Sequence, residues 1–154
     1  MKSLIMCWSE HHGNTKKIAD AMASVLHSEV IQPTDVDVET LDDYDLIGFG
    51  SGIYYWNHHK SLFDLIEKLS PIHKKAFIFS TRGAGRQGRA HNAIRTKLEE
   101  KSFEVLGEFS CRGFDTYGSL KYLGGIARGR PNDKDLRDAQ EFVKALKSKL
   151  ILAK

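Results

Sequence analysis

Five short strand-like runs separated by helix-periodic stretches leave this chain few folds to choose from. The runs are Lys2–Cys7, Glu29–Gln32, Asp45–Gly50, Lys75–Ser80 and Phe103–Ser110. The third, Asp-Leu-Ile-Gly-Phe-Gly, is apolar almost throughout, as expected of a strand covered on both faces. Helical spacing appears between the runs. Ile18, Met22 and Val25 share one face of a predicted helix over 14–26, with Asn14 or Thr15 available to cap it. Leu62, Phe63, Ile66 and Leu69 do the same over 59–69, where Pro71 stops the helix. A third helix is predicted over 91–101. A last one covers 133–150, with Leu136, Phe142, Val143, Leu146 and Leu150 as its apolar stripe. The segment 33–44 is too acidic and aperiodic for a long helix, so a short turn or irregular crossover is expected there. Strands alternating with helices require a parallel sheet with helices on both faces. The predicted fold is therefore α/β, a doubly wound five-stranded parallel sheet in the order 2-1-3-4-5.

A chain of 154 residues without internal repeat, linker or low-complexity segment is expected to form one domain over 1–154. No apolar run approaches 18 residues, so no membrane insertion is expected, and the N-terminus does not read as a signal peptide. The cytoplasm is the expected location. Cys7 and Cys111 make no disulfide framework and read as small buried hydrophobes at strand ends. The net charge of +3 is unevenly spread. Residues 34–45 hold six acidic side chains and no basic one, whereas 82–101 hold six basic side chains against Glu99 and Glu100. Such runs are either solvated faces or a means of steering an anionic partner. No nucleic-acid partner is expected.

In a doubly wound sheet the ligand sits at the carboxyl ends of the strands, where the strand order reverses. Three turns follow strands at that point. The first is Ser9-Glu10-His11-His12-Gly13-Asn14-Thr15, between a strand and a helix N-terminus. Inward backbone N–H groups, hydroxyl donors and the helix dipole suit it to a single phosphate group. It lacks the P-loop lysine spacing and the three glycines of a dinucleotide fingerprint. The second turn is Ser51-Gly52-Ile53-Tyr54-Tyr55-Trp56, continuing to Asn57, His58 and His59. Three consecutive aromatics outside a strand read as a platform on which a flat ring can stack. The third is Thr81-Arg82-Gly83-Ala84-Gly85, whose glycines allow backbone to approach a ligand edge.

Two similar patterns are set aside. Residues 83–88 match Gly-x-Gly-x-x-Gly, but they follow the fourth strand, and the next strand ends at Ser110-Cys111 without the acidic residue that holds a ribose. A receiver domain needs an acidic cluster after the first strand, where this chain has Glu10 alone. His11, His12, His58 and His59 lack the cysteine or acidic partners of a metal site, and none is assigned.

Taken in order, His12-Gly13-Asn14-Thr15, Ser51-Gly52 with the aromatics 54–56, and Thr81-Arg82-Gly83 resemble the three ligand loops of the flavodoxins. Strand count, helix count and length are similar to a short-chain flavodoxin over nearly the whole chain. The segments 111–118 and 124–129 look like a flavodoxin-like branch found in anaerobes. The resemblance implies non-covalent FMN. Its phosphate would sit in the turn Ser9–Thr15, on the amides around Glu10 to Thr15 with the Thr15 and Asn14 side chains donating, and its ring between Ser51–Trp56 and Thr81–Gly85. One ring face would lie against Tyr54, Tyr55 or Trp56, with Gly52 as the peptide that reorients beside the ring.

Two departures from the family pattern stand out. Glu10 replaces a small hydroxyl residue, and is expected to face solvent or to pair with His11, His12 or Lys16; either histidine could be cationic near a phosphate. Arg82, Arg86 and Arg89 crowd the third loop, where flavodoxins are acidic, which suggests an acidic redox partner or an anionic small acceptor. The expected function is FMN-based electron carriage between redox partners, with no catalytic residue assigned. The alternatives are an FMN oxidoreductase of the quinone, NAD(P)H or menaquinone-linked type, using His58, His59 or Tyr117 as acid or base, and a flavin-free binding module.

Overall fold

The computed structural model describes residues 1–10, 12–83, 87–114 and 124–153. His11, Ala84, Gly85, Arg86 and Tyr117, singled out above, lie outside them. The strands are β1 (Ser3–Trp8), β2 (Glu29–Ile31), β3 (Leu46–Tyr54), β4 (Asn57–His58), β5 (Lys75–Arg82) and β6 (Glu104–Arg112). The helices are α1 (Asn14–Leu26), α2 (Lys60–Lys68), α3 (Gln87–Glu100) and α4 (Asp133–Leu152). Five strands form a parallel sheet in the order β2-β1-β3-β5-β6, which is the expected 2-1-3-4-5 once the short β4 is set aside. The sixth strand was not foreseen: β4 folds back on β3 as an antiparallel hairpin. Residues 33–44 hold two short 3-10 turns, Pro33–Asp35 and Val38–Asp43, as the acidic, aperiodic sequence implied.

Alternation along the strands explains why their sequences look uniformly apolar. Leu4 and Met6 of β1, Ile47 and Phe49 of β3, and Ala76 and Ile78 of β5 face Leu62, Ile66, Ile94 and Leu98 of α2 and α3. Ile5, Cys7, Leu46, Phe77 and Phe79 face Ile18, Met22, Val143 and Leu146 of α1 and α4. Each sheet face thus has its own helix layer, and the central strands β1, β3 and β5 are apolar on both sides over most of their length. On the α1/α4 side, β3 contributes glycine at 48 and 50. The rings of Phe77 and Phe79 lie across them, so that a Cβ would stand 2.4 Å and 2.1 Å from the two ring tips. These glycines let the central strand lie flush under its neighbour's rings.

Both thiols are buried, and burial pushes each up to about 12, in keeping with their reading as small hydrophobes. The last helix opens on a capping box. Asn132 accepts from the Asp135 N–H at 3.0 Å, and Asp135 accepts from the Asn132 N–H at 2.8 Å. Among the described residues no helix is long and apolar enough to cross a membrane.

Candidate functional site

At the carboxyl ends of β1, β3 and β5, a cleft of about 350 Å³ opens at the reversal of strand order. That volume falls within the range of small-molecule sites. The first turn contributes Glu10, Asn14 and Thr15 to its wall, the β3–β4 hairpin its aromatic tip, and the end of β5 Thr81, Arg82 and Gly83. Two residues missed by sequence reasoning, Gly113 and Phe114, complete it. Their signal was available, because they too follow directly on the carboxyl end of a strand.

The first turn tightens through His12 and Gly13, both left-handed at φ 60° and 65°. A side chain on Gly13 would meet nothing within 4 Å, which leaves an open cradle at the helix N-terminus. Asn14 and Thr15 do not cap α1, contrary to expectation, because both side chains are used elsewhere. The Asn14 Nδ2 donates to the Phe114 carbonyl at 2.8 Å, while its Oδ1 is buried without a partner among the described residues. The Thr15 and Thr81 hydroxyls share a 2.8 Å hydrogen bond that ties the first turn to the third. Ser9 caps instead, accepting from the Lys16 N–H at 3.2 Å. The ring of His12 packs on Phe114, 4.4 Å between centroids.

Glu10 is exposed, in keeping with the expectation that it faces solvent. Lys16 is held by Asp20 at 2.7 Å, and the Glu10 carboxylate lies 4.0 Å from the His59 Nε2. The His59 ring stacks flat on Trp8, 4.4 Å away and 5° from parallel, and meets Tyr54 edge-on. Burial first, and then the charge of Glu10, push the Tyr54 phenol up to about 12, although a hydrogen bond with the Glu10 backbone works the other way.

What the sequence presented as a loop is a hairpin. Ser51, Gly52, Ile53 and Tyr54 extend β3, because their backbone still finds partners on neighbouring strands. Only Tyr55 and Trp56 form the turn. Both are left-handed, at φ 47° and 69°, the geometry a two-residue hairpin connection requires. Both are exposed, at 80% and 67% of their surface, at the cleft's rim. Gly52 leaves room for the Tyr54 phenol: a Cβ there would stand 3.2 Å from its oxygen.

Ser51 does not line the cleft but lies fully buried beneath it. Its hydroxyl donates to the Gly52 carbonyl at 2.6 Å and accepts from the His59 N–H at 2.9 Å. Its single proton is thereby used, so the 3.0 Å contact with His58 must be Nδ1–H donating to Ser51. That leaves the His58 Nε2 a bare lone pair, buried and without a partner among the described residues. The ring of His91 lies 5.1 Å away, fully buried, between Ser80 (2.7 Å) and Glu108 (3.2 Å), and Arg95 pairs with Glu108. Burial, and then the neighbouring His91, hold His58 well below its ordinary value. Burial also lowers His91, with Glu108 opposing. Sequence reasoning weighed His58 as an exposed acid or base and as part of a metal set that was not assigned; its place on the buried side of a two-residue strand left no periodic signal.

This arrangement places a cleft at the switch point of a doubly wound α/β sheet, with a helix N-terminus on one side and exposed rings on another. A family model described as "Flavodoxin domain" matches residues 5–122, and the chain belongs to that family of flavin-binding domains. An uncharacterised protein of Methanocaldococcus jannaschii is 46% identical over 147 residues, 95% of this chain and 98% of that one. Two solved structures share the fold at 20% identity. A flavodoxin from the domain Archaea superposes with a TM-score of 0.72, and oxidised flavodoxin 2 from Bacillus cereus with 0.73; each match covers 97% of this chain and 99% of the other.

Proposed function

We propose that this protein binds FMN non-covalently in the cleft and carries electrons between redox partners. The observation that carries the reading is the pair of exposed rings, Tyr55 and Trp56, at the rim of a cleft whose wall also holds the start of α1. A flat aromatic ligand with one phosphate fits both ends of that cleft. Gly13 and the N-terminus of α1 would hold the phosphate, with Ser9 orienting the turn through Lys16. Glu10, the group most hostile to a phosphate, is exposed, with its carboxylate 4.0 Å from the His59 Nε2. Bound FMN supplies one- and two-electron redox chemistry at its ring. The hairpin shields a ring face from water, while Thr81, Arg82 and Gly83 present backbone to its edge. Gly52 holds its carbonyl on Ser51, so any reorientation of that peptide must first break a 2.6 Å hydrogen bond.

The carrier reading is preferred over an oxidoreductase because, of the acid or base candidates among the described residues, neither His58 nor His59 is placed to serve. His58 is 3% exposed and lies beneath the hairpin, and His59 is stacked on Trp8 with its Nδ1 on Ser61. Purified protein should be yellow, or should quench FMN fluorescence stoichiometrically on titration. Trp56→Ala should weaken FMN about fivefold, the equivalent of ~1 kcal/mol of stacking. A colourless protein that leaves added FMN fluorescent refutes the reading. Rapid NAD(P)H oxidation with quinone and no protein partner would move the assignment to an oxidoreductase.

A further inference from the structure

Beside the cleft lies a second recess of about 420 Å³, between the end of β6 and the start of α4. Four cationic residues line it. Two are neutralised locally: Arg130 by Asp135 at 2.5 Å and Lys134 by Asp138 at 2.6 Å. The other two, Arg82 and Arg112, have no carboxylate partner among the described residues. They are register neighbours on paired strands and so project from the same sheet face, and Arg82 also lines the main cleft. Each keeps its Nε buried without an acceptor among the described residues. Glu108 on the same strand is taken by Arg95 and His91, and Asp135 and Asp138 are committed as above.

Like charges side by side on adjacent strands repel, and a buried charged donor without an acceptor is costly. One planar oxyanion reaching both guanidinium groups offsets their mutual repulsion, since the fork of arginine N–H groups matches a carboxylate. We propose that Arg82 and Arg112 form an anion subsite beside the cleft that seats the carboxylate of a small molecule. A recess enclosed by a strand end and a helix start suits a small carboxylate better than the broad face of an acidic protein. Because Arg82 belongs to both cavities, a molecule held there stands next to whatever occupies the main cleft. The subsite does not depend on the flavin reading.

Oxalate is the probe, added at constant ionic strength against chloride to protein carrying one equivalent of FMN with the excess removed, and followed through backbone amide shifts. The shifts at Arg82, Arg112 and Gly113 should saturate. Arg82→Gln and Arg112→Gln should each weaken oxalate at least fivefold, while Arg128→Gln, whose guanidinium sits on the Gly124 carbonyl, should leave it unchanged. Both glutamine variants should melt no lower than the parent, since each removes an uncompensated charge. Shifts that rise linearly as with chloride, or that saturate equally in the double glutamine variant, overturn the proposal. So does an oxalate-insensitive protein that instead retains polyglutamate in a salt-sensitive way, which would indicate an acidic protein as partner. Should the protein fail to take up FMN, the same titration of the apo form still decides the subsite.

Discussion

Replacing Gly50 by alanine tests how closely the centre of the sheet is fitted together. The new methyl carbon would stand 2.1, 2.2 and 2.4 Å from three ring atoms of Phe79, where carbons normally touch at ~3.5 Å or more. The ring is fully buried among side chains of α1 and α4 and has no open side to move into. Forcing extra carbon into such a core costs about 1–3 kcal/mol, and displacing a whole ring lies at the upper end. Against this, alanine gains ~0.5–1 kcal/mol over glycine through the unfolded chain. The expected net loss is about 2 kcal/mol, or a melting temperature lower by roughly 4–8 °C for a chain of this length. Urea unfolding followed by far-UV circular dichroism should show a lower midpoint with an unchanged slope. Phe79→Leu also destabilises alone, but the double variant should be more stable than the sum of the two losses by ~1 kcal/mol or more. A neutral or stabilised Gly50→Ala variant, or strict additivity, would mean that the ring does not rest on the strand backbone.

Acid should destabilise the protein through its histidine pair. His58 and His91 are lowered in the folded state, so below the unfolded value of 6.5 the unfolded chain binds more protons and stability falls. The limiting loss is about 1.4 kcal/mol per pH unit for each ring, and His58→Asn should flatten the decline in urea midpoint between pH 7.5 and 5. The thiols of Cys7 and Cys111, each raised to about 12, should resist a disulfide reagent at pH 8 until the protein is unfolded. Asn132→Ala removes the side chain that caps α4 and should cost ~1 kcal/mol, read as a melting point lower by about 2–4 °C.

The sheet order could be read from the sequence because burying both faces makes each strand apolar in its own right. Helix 14–26 was legible to the residue, since Gly13 before it and the spacing of Ile18 and Met22 within it leave little choice. The cleft's three turns were legible by position alone. What stayed hidden depended on tertiary partners. Ser51 looks like a loop hydroxyl until β3 is seen to continue through it with β1 and β5 on either side. Asn14 and Thr15 look like caps, yet their partners Phe114 and Thr81 lie 100 and 66 residues away. The pairing of Arg82 with Arg112 follows from strand register, which begins regular at Lys75–Glu104 and then slips by one residue between Ala76 and Phe77. No local pattern announces that slip.

The hairpin at the rim also has a mechanical consequence. With Tyr55 and Trp56 both left-handed and only two residues in β4, the tip has no slack of its own and must tilt as a stiff blade. Its root is the Ser51 hydroxyl, which grips Gly52, His58 and His59 together. A push on the aromatic rings is therefore levered onto the buried imidazole pair beneath. The ring signals of His58 and His91 become a strain gauge for whatever presses on the rim.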